Sequence, residues 1–104
     1  MAHTVVHDAA AEVEIQPGAV VSKVVHRGDG LNVTVFGFDA GEGLTEHESP
    51  HPAVVQVLSG RMRFTADDEE VDAAAGCWIH MSGRTPHSLH ALEPTVMLLT
   101  LRSG

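Results

Sequence analysis

Short runs in which apolar and polar residues alternate make up most of this chain, and turns rich in glycine and proline separate them. Alternation with a period of two is the pattern of a strand that is buried on one face only. Residues 31–38 begin with such alternation, and the valine-rich residues 20–25 precede them across a Gly-Asp-Gly turn. Residues 53–58 and 61–65 flank Ser59-Gly60, which predicts a hairpin whose basic residues face water.

Further strands are expected over residues 77–81, 87–92 and 95–101, whereas the acidic residues 67–70 are expected to form a solvated turn. Only residues 9–13 suggest a short helix, because no segment keeps a helical apolar period over three turns. Eight or nine short strands at regular intervals predict an all-β sandwich or barrel with little or no helix. Its core is expected to include the large side chains of Trp78, Met81 and Met97.

The composition limits the partners that the chain can have. Six Lys and Arg against fourteen Asp and Glu give a formal net charge of −8, which argues against nucleic acid or an anionic membrane as a partner. No apolar run approaches the roughly 18 residues of a membrane-spanning helix. Cys77 is the single cysteine, so no internal disulfide can form, and the N-terminus lacks the pattern of a secretory signal. We therefore expect a cytoplasmic protein.

Two glycine-bounded blocks resemble the paired signatures of the cupins. Residues 41–60, GEGLTEHESPHPAVVQVLSG, resemble the first, G-x5-H-x-H-x3,4-E-x6-G, and residues 76–91, GCWIHMSGRTPHSLHA, resemble the second, G-x5-P-x-G-x2-H-x3-N. The resemblance implies that residues 1–104 form one jelly-roll β-barrel domain with a metal or ligand pocket inside it. Residues 1–15 would form an N-terminal arm that is either mobile or at a dimer interface. Cupins of this kind are often homodimers, so a homodimer is also implied.

The chain departs from both signatures where the family carries its metal ligands. Ser49 stands where the second histidine belongs and Ala53 where the glutamate belongs, so only His47 and His87 keep a ligand by position. Three further positions differ from the second signature: Ser82, Arg84 and Ala91. Two imidazoles alone would hold a divalent ion weakly, because protein sites usually supply three or four ligands.

His51 is the candidate third ligand. On a straight strand, His47 and His51 would share a face but lie about 13 Å apart, too far to reach one ion. The prolines at positions 50 and 52 favour a bend that would bring His51 to the other two histidines. Alternatively, His51 is a rim residue or a hydrogen-bonding histidine in a metal-free pocket. His80, Ser49 and Ala53 are expected to line the pocket, His80 being alternatively a half-buried strand residue.

Two functions of different classes follow. The first is a metal-dependent cupin in which His47, His51 and His87 hold Zn, Fe, Ni, Mn or Cu, and which oxygenates, isomerises or hydrolyses a small oxygenated organic molecule. The second is a barrel that binds a small molecule or a sugar-like ligand without metal and without catalysis. Because position 53 lacks the glutamate that would be the most obvious general base, no catalytic residue is assigned.

Overall fold

The computed structural model describes residues 2–103. Met1, the first residue of the predicted domain and of the predicted arm, and Gly104, the last residue of the domain, lie outside the described residues. A 3-10 helix at Ala9–Glu12 is the one helical element of this part of the chain. No helix within it has the length and apolar character needed to cross a membrane. The described residues form nine strands, in chain order: β1 Val20–Gly28, β2 Leu31–Phe38, β3 Gly43–His47, β4 Ala53–Ser59, β5 Arg61–Ala66, β6 Glu69–Ala74, β7 Trp78–Met81, β8 His87–Ala91 and β9 Thr95–Arg102.

The strands form two antiparallel sheets. The first has five strands in the order β1-β2-β9-β4-β7, and the second has four in the order β3-β8-β5-β6. The chain passes repeatedly from one sheet to the other, and apolar side chains from both sheets form one core cluster. The predicted all-β jelly-roll with little helix is confirmed.

The hairpin predicted around Ser59-Gly60 is wrong in its pairing, although both of its strands are present. β4 belongs to the five-stranded sheet and β5 to the four-stranded sheet, so the turn is a corner between sheets. Gly60 adopts a φ of 85°, which favours glycine. The Oγ1 of the fully buried Thr95 accepts a hydrogen bond of 3.0 Å from the Arg61 N–H and fixes the corner. Alternation identifies a strand but not the sheet that it joins.

Inward-facing residues alternate along the strands and fill the space between the sheets. In β4 the buried residues are Ala53, Val55 and Val57, and in β5 they are Met62 and Phe64. The alternation gives each strand one apolar and one polar face, so the inner faces meet as one core.

Trp78 was expected in the core, and this expectation is wrong. Met81 is buried as predicted, and Ile79 packs against the same core. Because alternate residues of a strand point to opposite faces, Trp78 and His80 lie on the outer face of β7. Trp78 is 59% exposed, and its ring stacks on that of His80 with centroids 6.5 Å apart.

The predicted acidic turn is shorter than expected. Asp67 and Asp68 form the turn, with φ values of 48° and 66°, whereas Glu69 begins β6. The outer face of β6 carries Glu70, which pairs with Arg63 at 2.7 Å, and Asp72, which pairs with Arg61. These cross-strand ion pairs stabilise an acidic strand beside a basic one, an effect that strand propensity alone does not include. The basic outer face predicted for β5 is thus present.

The N-terminal segment covers part of the outer face of the five-stranded sheet. A Cβ at Gly37 in β2 would meet the side chains of Val13 and Ile15 at 3.3 and 3.2 Å. The side chain of Lys23 in β1 pairs with Glu12 at 2.9 Å. The segment is therefore packed on the sheet around residues 12–15, and the absence of a side chain at position 37 makes room for it.

Candidate functional site

His47 and His87 form the centre of the candidate site. They are cross-strand partners of β3 and β8, and their ring centroids lie 4.2 Å apart with the ring planes at 58°. The structure therefore brings together the two histidines that retain their place in the cupin signatures.

A bulge in β3 places both rings on the inner face of the sheet. Leu44 pairs with Leu89 and His47 pairs with His87, so three steps along β3 match two along β8. Without the extra residue, Leu44 and His47 would face opposite sides, because side chains alternate along a strand. The bulge lets Leu44 pack against the core while His47 also faces His87.

Main-chain carbonyl groups set the tautomer of both rings. The Nδ1 of His47 lies 2.8 Å from the Thr45 carbonyl oxygen, and the Nδ1 of His87 lies 2.8 Å from the Thr85 carbonyl oxygen. A carbonyl oxygen only accepts, so each Nδ1 must donate and carry the proton. In the neutral rings, each Nε2 then has a free lone pair, the form in which histidine ligates metals.

The two rings of the pair differ in exposure. The His87 ring is half-buried and stacks nearly parallel to that of the buried Phe64, with the centroids 6.0 Å apart. His47 is exposed. One ring is thus held by the core while the other remains open to solutes.

Two loops flank the pair and contact each other. Residues 48–52 follow His47, and residues 82–86 precede His87. The Arg84 N–H donates to the Ser49 carbonyl oxygen at 2.6 Å. At Gly83, an added Cβ would lie 3.1 Å from the Pro50 carbonyl carbon and under 3.0 Å from its oxygen. Arg84 has a φ of 65°, and it occupies the signature position where the cupins carry glycine.

His51 lies in the first of these loops. β3 ends at His47 and β4 begins at Ala53, so the face-sharing argument of a continuous strand does not apply to positions 47–53. His51 is half-buried, and its main-chain N–H donates a hydrogen bond to the Ser49 Oγ at 3.3 Å. Within residues 2–103, no three His, Cys, Asp or Glu side chains are grouped so as to hold a metal. In this conformation, His51 does not complete a three-ligand group with His47 and His87.

The three predicted pocket residues have different positions. Ala53 is 7% exposed on the inner face of β4, so it is part of the barrel wall. Ser49 lies in the loop after β3, where its Oγ accepts from the His51 N–H. His80 is exposed on the outer face of β7, and it also lies at the rim of a cleft between β6 and β7.

A cleft of 380 Å³ opens between the free edges of β6 and β7. Its apolar wall includes Val71, Ile79 and Met81, and Glu69 and Thr85 lie at its rim. Glu69 is not among the predicted site residues, because residues 67–70 are predicted to form a solvated turn. The signal that was present is the alternation of Glu69, Val71 and Ala73, which places all three on one face of β6.

The donor set of the histidine pair suits a transition metal but supplies only two ligands. Neutral imidazole suits Zn, Fe, Ni, Mn and Cu, and because Nδ1 of both rings is hydrogen-bonded to a carbonyl oxygen, Nε2 is the ligating atom of each. At the family's other two ligand positions, serine and alanine provide no strong ligand. The pair therefore fits part of a metal site, with the remaining ligands to come from elsewhere.

Comparisons with known proteins agree with this architecture. A conserved protein of unknown function from Streptococcus pyogenes is 35% identical, with a TM-score of 0.87 over 100% of this chain and 91% of that one. A cupin 2 conserved barrel domain protein from Leptotrichia buccalis is 32% identical, with a TM-score of 0.84 over 90% of this chain and 46% of that one. An RmlC-like cupin from Desulfovibrio desulfuricans is 25% identical, with a TM-score of 0.85 over 96% and 97%.

A search of curated proteins gave no match. A family model described as a cupin domain matches residues 34–101, which include β3 to β8 and both signature blocks. The match covers more than half of the chain, and both His47 and His87 lie within it. This chain therefore belongs to the cupin family.

Proposed function

We propose that this cupin binds a divalent transition metal at the mouth of its barrel through His47 and His87, and that a small oxygenated organic molecule binds beside it. The observation that carries the proposal is the pair of rings, whose centroids lie 4.2 Å apart and whose Nδ1 atoms are hydrogen-bonded to carbonyl oxygens. His51 becomes the third ligand if residues 48–52 shift. When bound, such an ion supports oxygenation, isomerisation or hydrolysis by polarising a ligand oxygen or activating water.

Metal analysis of untagged protein tests the proposal. After supplementation with each of the five metals, we expect bound metal in the wild type and its loss in both His47→Ala and His87→Ala. His51→Ala should weaken the affinity about tenfold, the scale of a supporting ligand or orienting group. His90→Ala, which removes an exposed imidazole from the outer face of β8, is the matched control and should bind as the wild type does. A wild type that retains less than about one tenth of an equivalent of every metal would refute metal binding.

A second function, binding of a small molecule without metal, is favoured by a different observation. Alanine at position 53 contributes no ligand to the barrel wall, and the cleft between β6 and β7 is within the size range of small-molecule sites. Chelator-treated protein distinguishes the two functions, because ligand binding that survives the removal of all metal supports this one.

We also propose a cytoplasmic homodimer. The large apolar side chains of Val24, Leu31 and Trp78 are exposed, and the burial of apolar surface drives most protein–protein association. A chain with one cysteine gains no internal disulfide from an oxidising compartment. Sedimentation analysis at micromolar concentration should give twice the 11.0 kDa chain mass, and a mass near 11.0 kDa contradicts the dimer.

A further inference from the structure

Glu69 is exposed at the rim of the cleft, but along β6 it has the parity of the inner face, unlike its acidic neighbours Glu70 and Asp72. In β6, Ala73 is buried and Val71 packs against the core, and Glu69 has the same parity. Glu70 and Asp72 have the opposite parity and pair with arginines on the outer face. None of the ion pairs found in residues 2–103 involves Glu69. Its carboxylate is therefore available to a ligand.

The strand register places Glu69 in one row with the histidine pair. His47 pairs with His87, His87 pairs with Ala66, and Ala66 pairs with Glu69. Directly opposed residues point to the same face of a sheet. Since neighbouring strands are about 4.8 Å apart, the Cα atoms of His87 and Glu69 are separated by roughly 10 Å. The methyl group of Ala66 is the only side chain between them in the row.

The hairpin that carries Glu69 is attached beside His87. The N–H of Asp67, in the β5–β6 turn, donates to the Pro86 carbonyl oxygen at 3.1 Å. The cleft that Glu69 borders also includes Ala66, which is the strand partner of His87. It includes Thr85 as well, whose carbonyl oxygen is hydrogen-bonded to the His87 ring. The cleft is therefore adjacent to the histidine pair.

We propose that Glu69 determines the specificity of the barrel site: across Ala66 its carboxylate faces the histidine pair and selects small molecules that carry an ammonium group over those that carry a carboxylate. The proposal rests on the ligand-binding part of the proposed function. The apolar wall of Val71, Ile79 and Met81 contacts the hydrocarbon part of such a molecule, and the ammonium group pairs with Glu69. Asp67 also lines the cleft and adds to its negative charge, whereas Arg84, in the neighbouring turn, does not line it.

Two probes of equal length test the charge selection in metal-free protein, so that failure of metal binding does not affect the result. Propylammonium and propionate are titrated separately while backbone amide shifts are followed by NMR. In the wild type, propylammonium should shift the amides of Ala66, Val71 and Ile79, and propionate should not. Glu69→Gln should weaken propylammonium binding about fivefold, the effect of one unit charge at close range near water. Glu69→Lys should reverse the preference toward propionate.

Glu70→Gln is the matched control, since it removes the same charge from the next residue on the opposite face of β6. It should leave the binding of propylammonium unchanged. Equal binding of both probes, no binding of either, shifts confined to other surfaces, or equal effects of Glu69→Gln and Glu70→Gln would each overturn the proposal. Loss of metal binding with retained charge selection would refute only the metal site.

Discussion

Gly83→Ala should separate the two loops that flank the histidine pair. The added Cβ would lie under 3.0 Å from the Pro50 carbonyl oxygen and 3.1 Å from its carbon. The obstacle is main chain between two prolines, so it cannot rotate away as a flexible side chain would. To reach ordinary van der Waals distance, the Pro50 peptide must retreat by up to about 1 Å, at an overpacking cost of roughly 1–3 kcal/mol.

The displacement should also reach the candidate site. It should break the 2.6 Å hydrogen bond from the Arg84 N–H to the Ser49 carbonyl oxygen. His47 directly precedes one loop and His87 directly follows the other, so the rings should move apart from their 4.2 Å centroid separation. We expect a decrease in Tm of roughly 4–24 °C, from about 4–8 °C per kcal/mol for a domain of this size. The NOEs between the two imidazole rings should weaken, and any metal affinity should fall.

Gly76→Ala is the control for this prediction. Gly76 has a φ of 94° but no atom within 4 Å of its would-be Cβ, so alanine there carries only a conformational cost of roughly 1–2 kcal/mol. It should lower Tm to a similar degree while leaving the imidazole NOEs unchanged. If Gly83→Ala keeps wild-type NOEs, or if the two variants alter the rings equally, the loop argument is refuted.

Three other predictions concern the frame around the site. Thr95→Val should lower the free energy of unfolding by about 1–3 kcal/mol, because the Arg61 N–H loses its acceptor. Thr95→Ser should lower it less, and urea denaturation measures both variants. Equal stability of Thr95→Val and the wild type would contradict the role of the hydroxyl. Gly43→Ala should detach β3 from β8, since its Cβ would collide with the Leu89 main chain; increased amide exchange in β3 with protection kept in β5 is the expected result, and unchanged protection of β3 would count against it. Asp72 has a lowered pKa, chiefly because Arg61 donates a hydrogen bond to it, so this pair's stabilisation is present above the ordinary pKa of the carboxyl and is lost as pH falls through the lowered value. Carboxyl NMR titration of Arg61→Gln should therefore show the Asp72 pKa returning toward its ordinary value, and an unchanged titration would exclude Arg61 as the cause.

Local alternation was enough to find most of the strands, because successive residues of a strand face opposite sides of the sheet and so alternate between apolar and polar. It placed β2, β4 and β5 closely and recognised the basic outer face of β5. It could not find the corner at Gly60, since the sheet that a strand joins depends on partners distant in the chain. It also missed β6, where acidic residues have low strand propensity but gain ion pairs with arginines across the strand.

The candidate site was only partly predictable for a similar reason. The signatures identified His47 and His87, which the fold brings together. The bulge that turns His47 inward has no glycine or proline to mark it, and it is visible only from the register with β8. Whether His51 joins them depends on a loop conformation that residue spacing does not determine. Glu69 enters the row with the histidines through pairings of four strands, which one-dimensional periodicity does not contain.

The carbonyl groups that orient the two imidazoles belong to the main chain, and this has a consequence for sequence variation. Any residue type at positions 45 and 85 offers the same oxygen, provided that the backbone keeps its course. Substitution of either threonine should therefore leave the protonated nitrogen of each ring unchanged. In homologous chains, the pair should be recognised by the spacing of its histidines and by the register shift between their strands. The amino acids two positions before the histidines can vary as long as the main chain keeps its conformation.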